Sequence, residues 1–274
     1  MSESVEEILS DFENYLKYYK KNYNYLINKD ELKSDSSYDF ELSEANITNE
    51  VKDKTETPYS VTSTENEMPK KSEVKKVQAV EKENWMNAKN LLELKEEISD
   101  CKKCKLWETR KNFVFGEGNP NANLVVVGEA PGADEDEQGM PFVGRAGKLL
   151  TEILKAVNFT REEVFICNIL KSRPPGNRNP EPDEIKACEP YLFKQLDLIK
   201  PKIILAVGTF ASQTLLRSKE PLGKLRGKFH EYNGIPMMVT FHPAALLRNP
   251  NWKRPTWEDV QMLRAEYDRL MKKK

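Results

Sequence analysis

The sequence contains few of the residues from which zinc sites and disulfide frameworks are built. It has four cysteines and two histidines in 274 residues. The N-terminus has no basic segment followed by an apolar core, so we expect no signal peptide and a cytoplasmic location. Thiols in such a chain favour a metal or redox role over disulfides. The two histidines, His230 and His242, lie far from the first cysteines, which does not favour a zinc tetrad.

Long apolar runs are also missing. No segment approaches the roughly 20 apolar residues that a membrane-spanning helix needs, so we expect no membrane partner. The net charge of −1 conceals an asymmetry, because residues 1–80 hold 17 acidic and 11 basic residues, against 27 and 32 in the remainder. A mildly basic C-terminal part is compatible with a polyanionic partner such as nucleic acid, although a solvated charged surface explains it equally well.

Three regions differ in composition. The apolar spacing in residues 1–28 predicts a short helix, which we expect to dock on its own domain or on a protein partner. Residues 29–82 are polar and charged, which predicts a disordered linker. Residues 83–274 have the pattern of a folded domain, and we expect this domain to be a monomer.

Strand and helix patterns alternate through that domain. Apolar, β-branched runs predict strands at about 124–128, 164–169, 202–207 and 236–240. Helical periodicity is found at Trp85 to Ile98, 145–157, 181–199, 209–217 and 256–271. The alternation predicts an α/β fold with three α/β/α layers around a central, mostly parallel four-stranded sheet.

Polar side chains follow three of these strands. Glu129 and Glu135 come after the first strand with Phe142, Asn168 ends the second, and His242 follows the fourth. Open α/β sheets bind ligands at the carboxyl ends of their strands, so we expect these residues to form a site. Each alone has a structural interpretation, since an Asn also caps turns and a lone His is commonly structural. A phosphate-binding hydrolase is a weaker alternative, because the acids at 134–137 would repel phosphate.

Two further loops carry basic residues. The loop 171–180 contains three bases and no acid, and it would suit contact with phosphates if it is not simply a solvated loop. After His242, the apolar Leu246 and Leu247 precede Arg248. These leucines are either core residues or a wedge that enters a stack of bases.

The cysteines are separated along the chain. Cys101 and Cys104 form a CxxC pair before the first strand, which favours metal over redox use. Cys188 lies in a predicted helix. Strand alternation turns Cys167 away from Asn168, so we expect Cys167 to be an ordinary buried residue.

Three motifs together resemble the family 4 uracil-DNA glycosylases, the iron–sulfur branch of that superfamily. They are Gly128-Glu-Ala-Pro-Gly with Pro141-Phe-Val-Gly144, Asn168-Ile-Leu-Lys-Ser-Arg-Pro-Pro-Gly-Asn-Arg178, and His242-Pro243 with Leu246-Leu247-Arg248. The resemblance covers about residues 95–272. It implies a uracil-DNA glycosylase fold and an enzyme that flips uracil out of DNA and hydrolyses its N-glycosidic bond. The alternative is a weak or inactive relative that binds nucleic acid.

The resemblance also implies roles for individual residues. It points to Glu129, Glu135 and His242 as catalytic residues, with Glu135 favoured for orienting water, and to Phe142 and Asn168 as the residues that stack on and pair with uracil. Asn177 matches a family site position, and Ala130 stands where some relatives place an Asp. We expect DNA contacts from Arg173, Arg178, Leu246, Leu247 and Arg248.

Four cysteines bind a [4Fe–4S] cluster in that family. Cys101, Cys104 and Cys188 match three of them, and Ser172 stands at the position of the fourth. Three outcomes are open: a cluster with one oxygen ligand, a labile three-iron form, or no cluster.

Overall fold

The structure is a computed structural model, and it describes residues 83–272. The N-terminal helix predicted over residues 1–28 and the linker predicted over residues 29–82 lie outside the described residues. The domain predicted over 83–274 is described except for its last two residues.

One mixed sheet organises residues 83–272. Its strands are β1 (Glu117–Gly118), β2 (Leu124–Gly128), β3 (Phe165–Asn168), β4 (Ile203–Val207), β5 (Phe229–Tyr232) and β6 (Ile235–Thr240). Their spatial order is β1-β3-β2-β4-β6-β5. The central strands β3, β2, β4 and β6 are parallel, and the two edge strands are antiparallel to their neighbours. The parallel core places four carboxyl ends along one edge of the sheet.

Helices cover both faces of the sheet. They are α1 (Leu91–Ile98), α2 (Ala133–Gln138), α3 (Arg145–Ala156), α4 (Pro182–Ile199), α5 (Thr209–Leu216), α6 (Leu222–Leu225), α7 (Pro243–Arg248) and α8 (Lys253–Lys272). Alternate residues of β2 enter different cores: Val125 and Val127 pack with α1, α4 and α5, whereas Leu124 and Val126 pack with α3, α7 and α8. This period of two explains why every β2 residue is buried, and it confirms the predicted three-layer α/β/α fold.

The sheet has six strands, so the prediction of four was wrong in this detail. β5 and β6 form a hairpin whose turn residues, Asn233 and Gly234, have φ values of 48° and 82°. An Asn-Gly pair between two strands is a strong sequence signal for such a hairpin, and it was available in the sequence. β1 has only two residues, a length at which no periodic pattern is visible.

The predicted helix from Trp85 to Ile98 is divided. A 3-10 turn covers Asn84–Asn87, and α1 begins only at Leu91. The Asn90 side chain accepts a hydrogen bond from the backbone N–H of Glu93 (3.0 Å), while the carboxylate of Glu93 accepts one from the backbone of Lys89 (2.8 Å). These paired caps start the helix at this point.

No helix within residues 83–272 is both long and apolar enough to cross a membrane.

Candidate active site

The predicted site residues of two strands meet at a glycine. Gly128 ends β2 beside Asn168, which ends β3, and the two residues are paired in the sheet. A Cβ on Gly128 would lie 2.4 Å from Oδ1 of Asn168 and 2.6 Å from Cζ of Phe142. A side chain would therefore fill the space in which the Asn168 amide and the Phe142 ring lie. Only glycine permits this arrangement without displacing them.

Phe142 is held in an uncommon conformation. Its φ is 52°, in the left-handed region that non-glycine residues rarely adopt, and its side chain is buried. The ring centroid lies 5.5 Å from that of the His242 ring, with 31° between the planes. A strained backbone at a ligand site is commonly maintained by its surroundings. Here the surroundings bring the aromatic ring, the amide and the imidazole together.

Glu135 maintains this loop. One of its carboxylate oxygens accepts a hydrogen bond from the backbone N–H of Gly132 (3.0 Å), and the other accepts from Val143 (2.9 Å) and Gly144 (3.0 Å). A carboxylate that accepts several backbone N–H bonds is firmly held. Glu135 thus fixes both ends of the loop that carries Phe142.

Asn168 has an unpaired acceptor. The residue is 2% exposed, and no donor among the described residues reaches its Oδ1 atom. A buried polar atom without a partner costs about 1–3 kcal/mol. An unpaired acceptor at the carboxyl end of a strand indicates a binding site for a ligand that donates a hydrogen bond.

His242 presents a neutral donor. Its Nδ1 accepts a hydrogen bond from the backbone N–H of Ala244 (3.2 Å), which assigns the ring proton to Nε2. Burial, with a smaller effect from Arg248, lowers the pKa of His242 to about 4. The imidazole is therefore uncharged at neutral pH, and its Nε2–H is available to a ligand.

Glu129 is the second carboxylate of the site. Burial raises the pKa of Glu129 to about 7, and the positive charge of Arg248 opposes that rise. Arg248 acts on both Glu129 and His242, which places all three in one electrostatic environment. Glu129 is thus a carboxyl group whose protonation changes near neutral pH, as suits acid–base or water-orienting chemistry. We call Glu129, Phe142, Asn168 and His242 the strand-end site.

The basic loop contains fewer available charges than its sequence suggests. Arg178 forms a bidentate pair with Glu184 (2.6 and 2.9 Å), and Arg173 donates to Oδ1 of Asn177 (2.7 Å). Lys171 is fully buried, so this base of the loop is not available to a phosphate. Arg173 and Asn177 lie toward solvent, and their predicted contacts with DNA and substrate stay predictions.

The two leucines after His242 have different environments. Leu246 is fully buried in the core beside α3 and α8, so the wedge interpretation is wrong for this residue. Leu247 is half-buried and Arg248 is exposed. Helix periodicity explains the difference, because neighbouring residues of α7 face different directions. Ala130 is half-buried and packs against the core on the α4 side of the sheet.

The three matching cysteines line one pocket. Cys101, Cys104, Ser172 and Cys188 all face it, and we call this the cysteine pocket. Cys101 Sγ accepts a hydrogen bond from the Tyr191 hydroxyl (3.2 Å), and Cys188 Sγ accepts one from the backbone of Lys171 (3.3 Å).

Three thiols and one hydroxyl therefore line the cysteine pocket, and thiolates are ligands of zinc and of iron–sulfur clusters alike. Among residues 83–272, no three His, Cys, Asp or Glu side chains lie close enough to hold one metal ion. In a four-iron cluster the thiolates bind separate irons, and donors to sulfur tune it. At the fourth position, the Ser172 hydroxyl accepts a hydrogen bond from Arg110 (3.2 Å). Cys167 is buried in the core beside β2, as predicted.

Sequence reasoning missed two buried groups near the site. Lys171 donates to the backbone carbonyl of Asn168 (2.8 Å). Asp259, on α8, accepts from Thr240 (2.6 Å) at the end of β6 and pairs with Arg226 (2.8 Å). A charged residue in a polar sequence context gives no sign that it will be buried, so the sequence offered no signal for either.

Comparison with known proteins identifies relatives. A family model described as the uracil DNA glycosylase superfamily matches residues 115–261, which include the whole strand-end site. The Type-4 uracil-DNA glycosylase of Sulfurisphaera tokodaii is 46% identical over 184 residues, covering 64% of this chain and 84% of that protein. The protein of the same name from Saccharolobus solfataricus is 46% identical, and the match covers 64% of this chain and 85% of that protein. The one from Pyrobaculum aerophilum is 43% identical, and the match covers 63% of this chain and 92% of that protein.

Proposed function

Since the chain belongs to the uracil-DNA glycosylase superfamily, we propose that the strand-end site binds a uracil flipped out of DNA. The protein is a uracil-DNA glycosylase, a hydrolase that acts in DNA repair. The predicted family and activity are thereby confirmed. The roles of individual residues are our proposals, and they follow from the geometry of the site.

Asn168 recognises the base. Its unpaired Oδ1 accepts the N3–H of uracil, and its amide N–H₂ donates to O4. Cytosine has no hydrogen on N3 and carries an amino group at position 4, so it would set acceptor against acceptor and donor against donor. A buried site built for one hydrogen-bond pattern strongly rejects the other. The unpaired, buried Oδ1 atom is the single observation that carries the proposal.

Phe142 and His242 act on the bound ring. Phe142 stacks on the face of the uracil, and its position is fixed by the loop that Glu135 holds. The neutral His242 donates its Nε2–H to O2 of the base as negative charge develops there. Stabilising charge where it develops in the transition state is commonly the largest contribution to catalysis.

Glu129 orients the water. As the bond between N1 and C1′ breaks, its electron pair goes to the uracil anion, and the sugar becomes cationic. Water adds to C1′ and loses a proton, which leaves an abasic sugar and, after protonation, free uracil. We assign Glu129 to this water because the oxygens of Glu135 are occupied by backbone N–H groups. We therefore prefer Glu129 for orienting the water, whereas the sequence analysis preferred Glu135.

Two residues of α7 supply the DNA contact. Arg248 is exposed beside Glu129 and His242, where it would meet a phosphate next to the flipped nucleotide. Leu247, half-buried on the same helix, is the remaining candidate to occupy the space that the uracil vacates.

Cys101, Cys104 and Cys188 would hold an iron–sulfur cluster, with Ser172 as an oxygen ligand or as a neighbour of an open iron. When bound, the cluster would cross-link the loop of Cys101 and Cys104 to α4, which carries Cys188, and would take no part in hydrolysis. The three thiols support this assignment because they line one pocket and two of them already accept hydrogen bonds.

The experiment measures free uracil released from a uracil-containing oligonucleotide, single- and double-stranded. We expect release by the wild type and losses of about 100-fold or more in Asn168→Ala and His242→Ala. His230→Ala is the matched control, because His230 lies on the edge strand β5 and bonds to the backbone of Leu225. Salt-dependent DNA binding without uracil release would instead support a non-catalytic relative.

A further inference from the structure

Lys171 is a fully buried lysine in an unusual environment. Its side chain is 0% exposed, although it lies in a polar loop one residue before Ser172. Its ammonium donates to the backbone oxygen of Asn168 (2.8 Å) and to Oε1 of Gln195 (2.6 Å). Neither acceptor carries a charge. Burying a lysine side chain without an ion pair is costly whether it stays charged or gives up its proton, so this lysine needs another explanation.

The remaining polar atoms around Lys171 fix it from several sides. Gln195 is itself fully buried and donates to the backbone of Phe115 (2.9 Å). The backbone N–H of Lys171 donates to Cys188 Sγ (3.3 Å), and its carbonyl accepts from Val114 (2.8 Å). The ammonium is thus held at a fixed place relative to α4 and the cysteine pocket.

Asn168 is the residue whose backbone these hydrogen bonds hold in place. Beyond β3 the backbone continues along the end of β2, with Ile169 donating to Gly128 (3.0 Å) and Leu170 donating to Glu129 (3.0 Å). The hydrogen bond from the Lys171 side chain to the Asn168 carbonyl then closes the turn. The N–H groups of Ile169 and Leu170 and the carbonyl of Asn168 are all hydrogen-bonded. The Asn168 backbone therefore has little freedom to rotate, and this fixes the direction of its side chain.

We propose that Lys171 is a positioning residue for base recognition, which fixes the backbone of Asn168 so that its amide faces the uracil edge. The proposal rests on the proposed role of Asn168 as the residue that pairs with uracil. Lys171 does not touch the base, and its effect is transmitted through Asn168. A misplacement of about 1 Å in a positioned group can cost about 100-fold in rate.

A double-mutant cycle tests this dependence. Lys171→Met keeps a long apolar side chain and removes the donors, and we expect it to lower kcat/KM by about 10- to 100-fold. It should also raise the inhibition constant for free uracil by a similar factor, because Asn168 contacts the base before any bond breaks. In an Asn168→Ala background, measured under single-turnover conditions, we expect Lys171→Met to change the rate by less than about threefold.

Controls separate positioning from loss of structure. Leu192→Ala removes a fully buried residue of α4 from the same core, and it should lower the thermal midpoint without changing uracil inhibition. If Lys171→Met does not fold, the paired variant Lys171→Met with Gln195→Met replaces both hydrogen-bonding partners by apolar groups, a change that proteins tolerate better. The same cycle is then run on that pair.

Two results would overturn the proposal. One is an equal loss from Lys171→Met in the wild-type and Asn168→Ala backgrounds, and the other is an unchanged inhibition constant for uracil. A wild type that releases no uracil, or an Asn168→Ala variant of full activity, would overturn the proposed function itself. The two failures are therefore distinguishable.

Discussion

Gly128→Ala is a test of the strand-end site that leaves the identity of every proposed catalytic residue unchanged. Gly128 does not have a positive φ, so alanine is compatible with its backbone. The added Cβ would lie 2.4 Å from Asn168 Oδ1 and 2.6 Å from Cζ of Phe142. The substitution therefore acts through space alone, on the two groups proposed to contact the base.

The size of the effect follows from these distances. Ordinary contact with a Cβ begins at 3.4 Å, so Oδ1 must move by about 1 Å and the ring by slightly less. A displacement of this size costs about 100-fold in rate, or about 2.7 kcal/mol in transition-state stabilisation.

The assay is kcat/KM for uracil release, corrected for the folded fraction by thermal unfolding. Gly223→Ala is the matched control, because Gly223 lies on α6 with nothing within 4 Å of its added Cβ and also does not have a positive φ. We expect the control to keep wild-type activity. A Gly128→Ala enzyme within twofold of the wild type would refute the assignment of Asn168 and Phe142 to the base.

Three further outcomes follow from burial and charge. Burial raises the pKa of Glu129 to about 7, and we propose that its carboxylate form orients water, so kcat/KM should rise as pH increases through about 7. A pH–rate profile of Glu129→Gln should lack this rise, and its persistence would assign it to another group. Leu246→Ala should lower the free energy of unfolding by about 2–5 kcal/mol in a denaturant titration, whereas Leu247→Ala should weaken DNA binding with little loss of stability. If the Leu247 variant binds DNA normally, it has no wedge role. Ser172→Cys should raise the iron content per chain and the visible absorbance of anaerobically purified protein, and equal iron in both forms would show that Ser172 does not limit the cluster.

The sequence was sufficient for the central part of the fold. Strands β2, β3 and β4 are buried throughout, and β6 is buried from Met237 onward; such strands appear as largely continuous apolar runs. Helices α3, α4, α5 and α8 were also predicted from their periodicity, within a few residues. The edge strands were missed because β1 is too short to show a pattern and β5 is only half-buried.

The sequence predicts that the residues of the candidate site meet at one edge of the sheet, but it cannot predict the hydrogen bonds that each of them makes. Glu129, Asn168 and His242 follow strand ends, and the carboxyl ends of parallel strands meet at one edge. What each polar group bonds to depends on contacts between distant segments. The sequence therefore could not show that Glu135 is bound by backbone N–H groups or that Lys171 is buried under Asn168. Leu246 was ambiguous for the same reason, since an apolar residue after a strand suits a core and a surface equally.

The hydrogen bonds of Glu135 have a consequence for how this loop can change in evolution. One carboxylate joins Gly132 to Val143 and Gly144, so the chain between them leaves and returns at fixed points. The position of the chain at Val143, and hence of the adjacent Phe142, depends on that closure. The second half of α2 is held as well, because the buried Asp136 accepts a hydrogen bond from the backbone N–H of Lys111 (2.9 Å). Insertions and deletions in this part of the loop are therefore expected to be selected against among descendants of this protein, as is a change of Glu135.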